Sequence, residues 1–236
     1  MKQIPLAIGP EPLPTFGNFV PGANGAALQH LQTLTLPAAP VYLWGPAGSG
    51  KTHLLRALAS DCQGAGLVVA RFDAADGMPW TLPPDAALAV IDRCEALDAP
   101  AQHAAFALFV AAATQGLQLV AAGRLPPVDL PLRDDLRTRL AWGHVFALEP
   151  LAETETRAVL RREADQRGIL LSDEVMDYVL ARFERDLSHL MRLLDRLDHY
   201  ALARARPVTV PLLRQMLVEE GAESSAAPPA EVVPSR

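Results

Sequence analysis

Apolar residues recur along this chain in two rhythms, and the change falls near residue 150. Before it, short apolar runs of strand length stand at 41–44 ("VYLW"), 66–74 ("GLVVARFDA"), 86–92 ("AALAVID") and 117–123 ("LQLVAAG"). Continuous runs of this kind, bounded by turn residues, mark strands buried on both faces. Helical spacing fills the intervals at 26–34, from Lys51 to near Asp61, and at 102–114. Four strands alternating with helices predict an α/β domain with a parallel sheet flanked by helices.

Beyond residue 150 the strand-like runs stop. The stretches 153–168, 172–183 and 186–205 carry apolar residues at helical spacing. Gly168 ends the first, Ser172 offers the second an N-cap, and Pro211 opens a last short helix predicted to reach Glu220. The pattern predicts a small all-helical domain. The chain thus divides into an extended, Pro-rich arm at 1–14, an α/β domain at 15–150, a helical domain at 151–220, and a polar, Pro-rich tail at 221–236 expected to be disordered.

Composition changes this picture little. Half of the 236 residues are hydrophobic, enough for a sizeable core. A net charge of −6 argues against direct nucleic-acid binding, which needs a clustered basic face; the arginines between 182 and 206 are interleaved with acids. Cys62 and Cys94 have no metal-ligand spacing and read as reduced thiols of a cytoplasmic protein. No signal peptide is apparent at the N-terminus. Residues 99–123 lack any Asp, Glu, Lys or Arg, which is about the length of a membrane span. Thr114, Gln115, Gly116 and Gln118 interrupt them, so a buried helix, a Gly turn and a buried strand fit better, and no membrane segment is predicted.

The chemistry concentrates in "GPAGSGKTH", residues 45–53, which matches G-x-x-x-x-G-K-[ST] between a predicted strand and a predicted helix. Gly45, Gly48 and Gly50 let the backbone wrap a phosphate, with Pro46, Ala47 and Ser49 between them and His53 beyond. Lys51 suits the outer phosphates of ADP or ATP, and the Thr52 hydroxyl suits a magnesium ion. Asp92, ending "AALAVID", is the second candidate magnesium ligand. An ATPase of this design carries an acid next, to ready the attacking water. Here the residue is Arg93, which stays protonated and cannot be a base. Glu95 is the nearest substitute. The site reads as one that holds nucleotide more than it consumes it; a slow ATPase with a rerouted base stays open.

A P-loop domain followed by a helical lid resembles the AAA+ class, and three stretches resemble its DnaA branch. "TFGNFVPGAN" (15–24) is similar to the Phe-x-x-Phe-x-x-Gly segment bordering the adenine, which implies a nucleotide contact for Phe19. "LRDDLRTRLAWG" (132–143) is similar to the branch's Arg-finger segment, which implies that Arg139 is the finger. "LEPLAETETRAVL" looks like the start of the lid. Only a short tail follows Glu220, where DnaA has a DNA-binding domain. The length resembles Hda, the family of regulatory inactivators of DnaA.

That resemblance implies several expectations. Gln3, Ile4, Pro5, Leu6, Ala7 and Ile8 are similar to the family's binding sequence for the DNA polymerase III beta sliding clamp, although Pro is missing from its fifth place. The family docks on ATP-bound DnaA and stimulates hydrolysis in trans, shutting off initiation; DNA is reached only through the clamp, which places the protein on the bacterial nucleoid. Assembly with copies of itself is left open. The sensor I acid expected after the fourth strand falls on Gly123 or Arg124, and the lid Arg falls on Ser188, with Arg185 or Arg192 able to deputise. Two other readings remain at this point: a stand-alone ATPase or helicase loader, and a passive adaptor between clamp and DnaA.

Overall fold

The structure, a computed structural model, describes residues 13–183 and 186–225 and falls into two compact units that divide between Ala152 and Glu153. The first unit contains five strands, β1 (Val41–Trp44), β2 (Val68–Asp73), β3 (Ala86–Asp92), β4 (Gln118–Gly123) and β5 (His144–Ala147). They form one sheet in the order β2-β3-β4-β1-β5, and every pairing is parallel. Four of these are the strands expected from the sequence. The fifth is a correction: "HVFA" also pairs, as a four-residue, mostly exposed strand at the sheet edge.

Alternate residues of each inner strand enter opposite cores, as the two-residue strand period requires. Tyr42, Ile91, Leu119 and Ala121 face the helices α3 (Ala99–Gln115) and α4 (Asp134–Ala141), where they pack with Leu108, Phe109, Leu136 and Leu140. Leu43, Leu88, Val90 and Val120 face α1 (Gly25–Gln32) and α2 (Lys51–Gly64), where they meet Leu31, Leu54 and Leu58. β4 is buried along its whole length, and the uncharged stretch resolves into α3, a left-handed Gly116 and β4. Asp98 starts α3 by accepting a hydrogen bond from the Ala101 N–H. No helix among the described residues is long and apolar enough to cross a membrane.

The second unit is helical throughout: α5 (Glu153–Gln166), α6 (Asp173–Arg182), α7 (Leu187–Arg204) and α8 (Val210–Ser225). Ser172 caps α6 through Val175 N–H, as its position suggests. Leu160, Met176, Leu190, Leu193, Leu197, Leu213 and Met216 make a separate core. Arg157–Asp177 and Arg167–Asp195 pairs, both at 2.5 Å, join its helices at the surface. α8 is longer than expected: it runs to Ser225, five residues into the stretch expected to be a disordered tail.

Candidate functional site

The end of β1 and the start of α2 build the loop, and its shape is forced by three glycines with positive φ. Gly45 (φ 155°) lies so close to the backbone that a Cβ would fall 2.1 Å from Leu148 O. Gly50 (φ 90°) has the Phe19 ring over it, 2.6 Å from where a Cβ would stand. Gly48 has a φ of 76°. No other residue type adopts these conformations cheaply. Pro46 and Ala47 form the exposed tip, and Ser49 is buried beneath it.

Lys51 opens α2, and its ammonium donates to Gly45 O at 2.8 Å, Pro46 O at 2.7 Å and Ser49 Oγ at 3.2 Å. The charge is thereby held over the loop, where a phosphate would compete for it. The Thr52 hydroxyl donates to Asp92 Oδ2 at 2.6 Å, so the two oxygens expected to share a magnesium ion are adjacent. Among the described residues no three His, Cys, Asp or Glu side chains cluster as a metal site. Two hard oxygen donors without a full protein cage suit magnesium, which takes the rest of its shell from phosphate and water. Thr52 and Asp92 would hold such an ion, and it would neutralise phosphate charge there.

Phe19 and His53 meet at the helix end of the loop, with ring centroids 5.4 Å apart. His53 Nε2–H donates to Thr15 O at 2.9 Å, which ties the segment before α1 to the first turn of α2. Burial lowers the His53 pKa and the nearby Arg56 charge adds to this, against the raising effect of the Thr15 carbonyl. Asn24, absent from the residues singled out in the sequence, exchanges two 2.8 Å hydrogen bonds with the Glu149 backbone across 125 positions. A buried amide pairing with both backbone groups of one residue is a tertiary clamp that leaves no local pattern.

On the other side of Asp92 the missing base has a structural explanation. Arg93 adopts a left-handed conformation (φ 56°, ψ 46°), and its N–H donates to Asp92 Oδ1 at 2.9 Å. Its guanidinium forms a two-pronged ion pair with Asp73, which lies opposite Asp92 in the β2–β3 register. Burial pushes the Asp73 carboxyl up, but the Arg93 bond, the Ala75 N–H and the Arg93 and Arg56 charges outweigh it and hold the pKa below the usual carboxylate value. Glu95 is committed elsewhere: Oε2 accepts the Arg124 N–H at 3.0 Å, and Oε1 lies 3.4 Å from Arg124 Nε. Neither residue serves as a base in this arrangement. A cleft of about 560 Å³ opens beside Asp92 between α2 and β2, lined by Arg56, Ser60, Arg71 and Asp73 but not by the phosphate loop.

At the end of β4, the Gly123 position has no room for a reading side chain. A Cβ there would stand 2.3 Å from the Tyr42 hydroxyl, which donates to Leu125 O at 2.9 Å. Burial first, then Cys94 and Glu95, push the Tyr42 pKa up, so the phenol stays a donor. Tyr42 looks like a core aromatic in sequence, and its role as a plug shows only in three dimensions.

Arg139 lies in the last turn of α4 and is exposed. Its neighbours are engaged: Arg133 pairs with Asp135 at 2.7 Å, and Arg137 pairs with Asp134 and donates to Val128 O. Arg139 has no hydrogen bond or ion pair to another described residue, and it shares a surface hollow with Phe106, Thr138 and the exposed Trp142. In the lid unit Arg192 is an exposed residue of α7, and the Ser188 N–H bonds to the helix cap Asp186. Arg185 and the arm residues 3–8 lie outside the described residues.

Comparison with known proteins bears on the fold and on the helical unit. Residues 153–217 match the family model of the Hda lid domain. The structure is similar to domain III of the replication initiation protein DnaA from Thermotoga maritima, with a TM-score of 0.69 and 22% identity over 88% of this chain and 98% of that one. It is similar to AMPPCP-bound DnaA from Aquifex aeolicus, with a TM-score of 0.62 and 22% identity over 77% of this chain and 65% of that one. A variant of RuvB from Thermotoga maritima gives a TM-score of 0.64 at 17% identity over 87% of this chain and 72% of that one. At such identities these likenesses establish the fold. The chain shares the fold of DnaA domain III, and its residues 153–217 are similar to the Hda lid domain.

Proposed function

We infer that this chain, with its Hda lid on a DnaA-type AAA+ fold, is a regulator of replication initiation that acts on nucleotide bound to DnaA rather than on its own. Its phosphate loop holds ADP or ATP with magnesium through Lys51, Thr52 and Asp92. Its own turnover is slow, because Arg93 is paired with Asp73 and Glu95 accepts the Arg124 backbone N–H. The nucleotide serves to order the protein. Arg139 enters the nucleotide site of DnaA, where its guanidinium meets charge developing on the transferred phosphoryl group, and residues 3–8 tether the protein to the sliding clamp. The setting is the cytoplasm, at clamp-loaded DNA.

The observation that carries this reading is the contrast among the arginines of α4 and its N-cap. Arg133 and Arg137 are both spent on intramolecular ion pairs, while the exposed Arg139 has no partner among the described residues. A cation kept uncommitted is available to another molecule's phosphate. In related NTPases an Arg supplied in this way is worth on the order of 10³ to 10⁵ in rate. Arg139→Ala is expected to retain nucleotide and clamp binding and to lose stimulation of DnaA ATP hydrolysis on clamp-loaded DNA. Arg139→Lys rescues poorly, because the planar fork is lost. Arg137→Ala breaks only an internal pair and keeps most of the stimulation. Undiminished stimulation by Arg139→Ala would reduce the residue to a surface charge and sink the mechanism.

A further inference from the structure

α4 ends at a tight backbone crossing. Gly143 lies so close to the chain before β1 that a Cβ there would stand 1.8 Å from Pro40 O. The next residue, His144, donates its N–H to the same oxygen at 2.8 Å. The passage from α4 into β5 is thus fixed, and glycine lets the two backbones meet. Leu136 and Leu140 take the buried positions of α4. Trp142, at the C-cap, is left outside with 72% of its surface exposed.

The fold does not use this indole. Trp44 and Trp80 pack against the core beside α3 and α4, whereas Trp142 belongs to neither core of the first unit. Its N–H donates to Arg139 O at 3.3 Å, which joins the two residues at the end of α4. Three positions apart on a helical backbone, they leave the same face. Both side chains line one surface hollow of about 430 Å³, with the half-buried ring of Phe106 on its wall. The acids of that hollow, Asp134 and Asp135, are held by Arg137 and Arg133. What the hollow offers another molecule is two aromatic rings and one guanidinium. Trp and Arg are the residue types that dominate affinity in protein interfaces, because a large, stiff ring sheds much water at small entropic cost.

We propose that Trp142 is the docking anchor for ATP-bound DnaA, its indole covered by an apolar patch of the partner while Arg139 enters the partner's nucleotide site. The proposal rests on the reading of Arg139 as a residue that acts on DnaA. The two side chains leave one helix face, so a protein that receives Arg139 also covers Trp142. Their roles divide. Arg139 meets the charge that develops during phosphoryl transfer and sets the rate. Trp142 reaches no phosphate, and its burial sets how tightly the partner is held.

The test is steady-state ATP hydrolysis by DnaA on clamp-loaded DNA, with this protein in catalytic amount and ATP-bound DnaA varied. Trp142→Ala is expected to raise the KM for ATP-bound DnaA by about tenfold or more, the scale of truncating an interface anchor, with the maximal rate unchanged. Trp142→Phe keeps a ring and is expected to recover most of this loss. Arg139→Ala gives the opposite split, a lost maximal rate. Both Trp142 variants are expected to melt as the unmodified protein does, since the indole packs in neither core. An unchanged KM in both variants, or a KM that rises only in step with a fall in Tm, overturns the proposal. If Trp142→Ala abolishes self-association in sedimentation while KM stays the same, the indole is a contact between copies of this chain and the proposal fails. If Arg139→Ala stimulates DnaA as well as the unmodified protein does, the reading of Arg139 falls and takes the proposal with it.

Discussion

Changing Arg93 to glutamate restores the acid that an ATPase of this design carries after its magnesium carboxylate, yet the structure indicates that this change alone fails. The side chain at 93 pairs with Asp73, the residue opposite Asp92 in the β2–β3 register, and follows Asp92 directly. Arg93→Glu replaces a two-pronged ion pair with a third carboxylate. Two unit charges 4 Å apart interact by roughly 1 kcal/mol in water and about 4 kcal/mol at an effective permittivity near 20. The Arg93 and Asp73 side chains are 48% and 33% exposed, so solvent screening puts the effect near the lower figure. Losing about 1 kcal/mol of attraction and gaining about as much repulsion gives roughly 2 kcal/mol of destabilisation. For a domain of this size that lowers Tm by roughly 4–8 °C. Single-turnover phosphate release and a melting curve on the same preparations check both parts. Arg93→Glu is expected to melt earlier and hydrolyse no faster, and adding Asp73→Asn to return about half of the lost stability. Brisk ATP turnover by Arg93→Glu alone, at an unchanged Tm, would refute the idea that the Asp73 pairing controls this position.

Three further outcomes follow from the site. Lys51→Ala is expected to lose the rise in Tm that excess ADP gives the unmodified protein, about 2.7 kcal/mol at a hundredfold excess over Kd, because a ligand bound only by the native state stabilises it by mass action; thermal melts with and without ADP read this. Removing residues 1–8, or changing Gln3, Leu6 and Ile8 together to Ala, is expected to abolish binding to immobilised sliding clamp with Tm unchanged, and retained affinity would move the contact elsewhere. His53 has a folded pKa below the ordinary 6.5, so the unfolded chain binds the extra proton first and stability falls as pH drops below that value. Melting curves at pH 7.5 and 5.5 are expected to show a loss that His53→Gln reduces, and an equal loss in both proteins would contradict the assignment.

The sequence by itself determined what local rules govern. Buried strands of a parallel sheet advertise themselves as apolar runs, so β1, β3 and β4 were legible. Edge strand β2 was legible from its residues 68–70 despite the exposed Arg71, and so was the Gly-rich turn that must join β1 to α2. The amphipathic lid helices and the Ser172 cap follow from spacing within one segment. Only the tertiary structure decided what depends on residues meeting from distant positions. β5 forms because β1 offers an edge, though its own residues are mostly exposed. Arg93 is committed because Asp73 ends the neighbouring strand, and Gly123 is closed to side chains because Tyr42 stands behind it. Arg139 stands apart from Arg133 and Arg137 only once the acids of α4 have taken their partners. Periodicity reports how a segment is buried, whereas pairing between charges and the space around a backbone are settled by which segments the fold brings together.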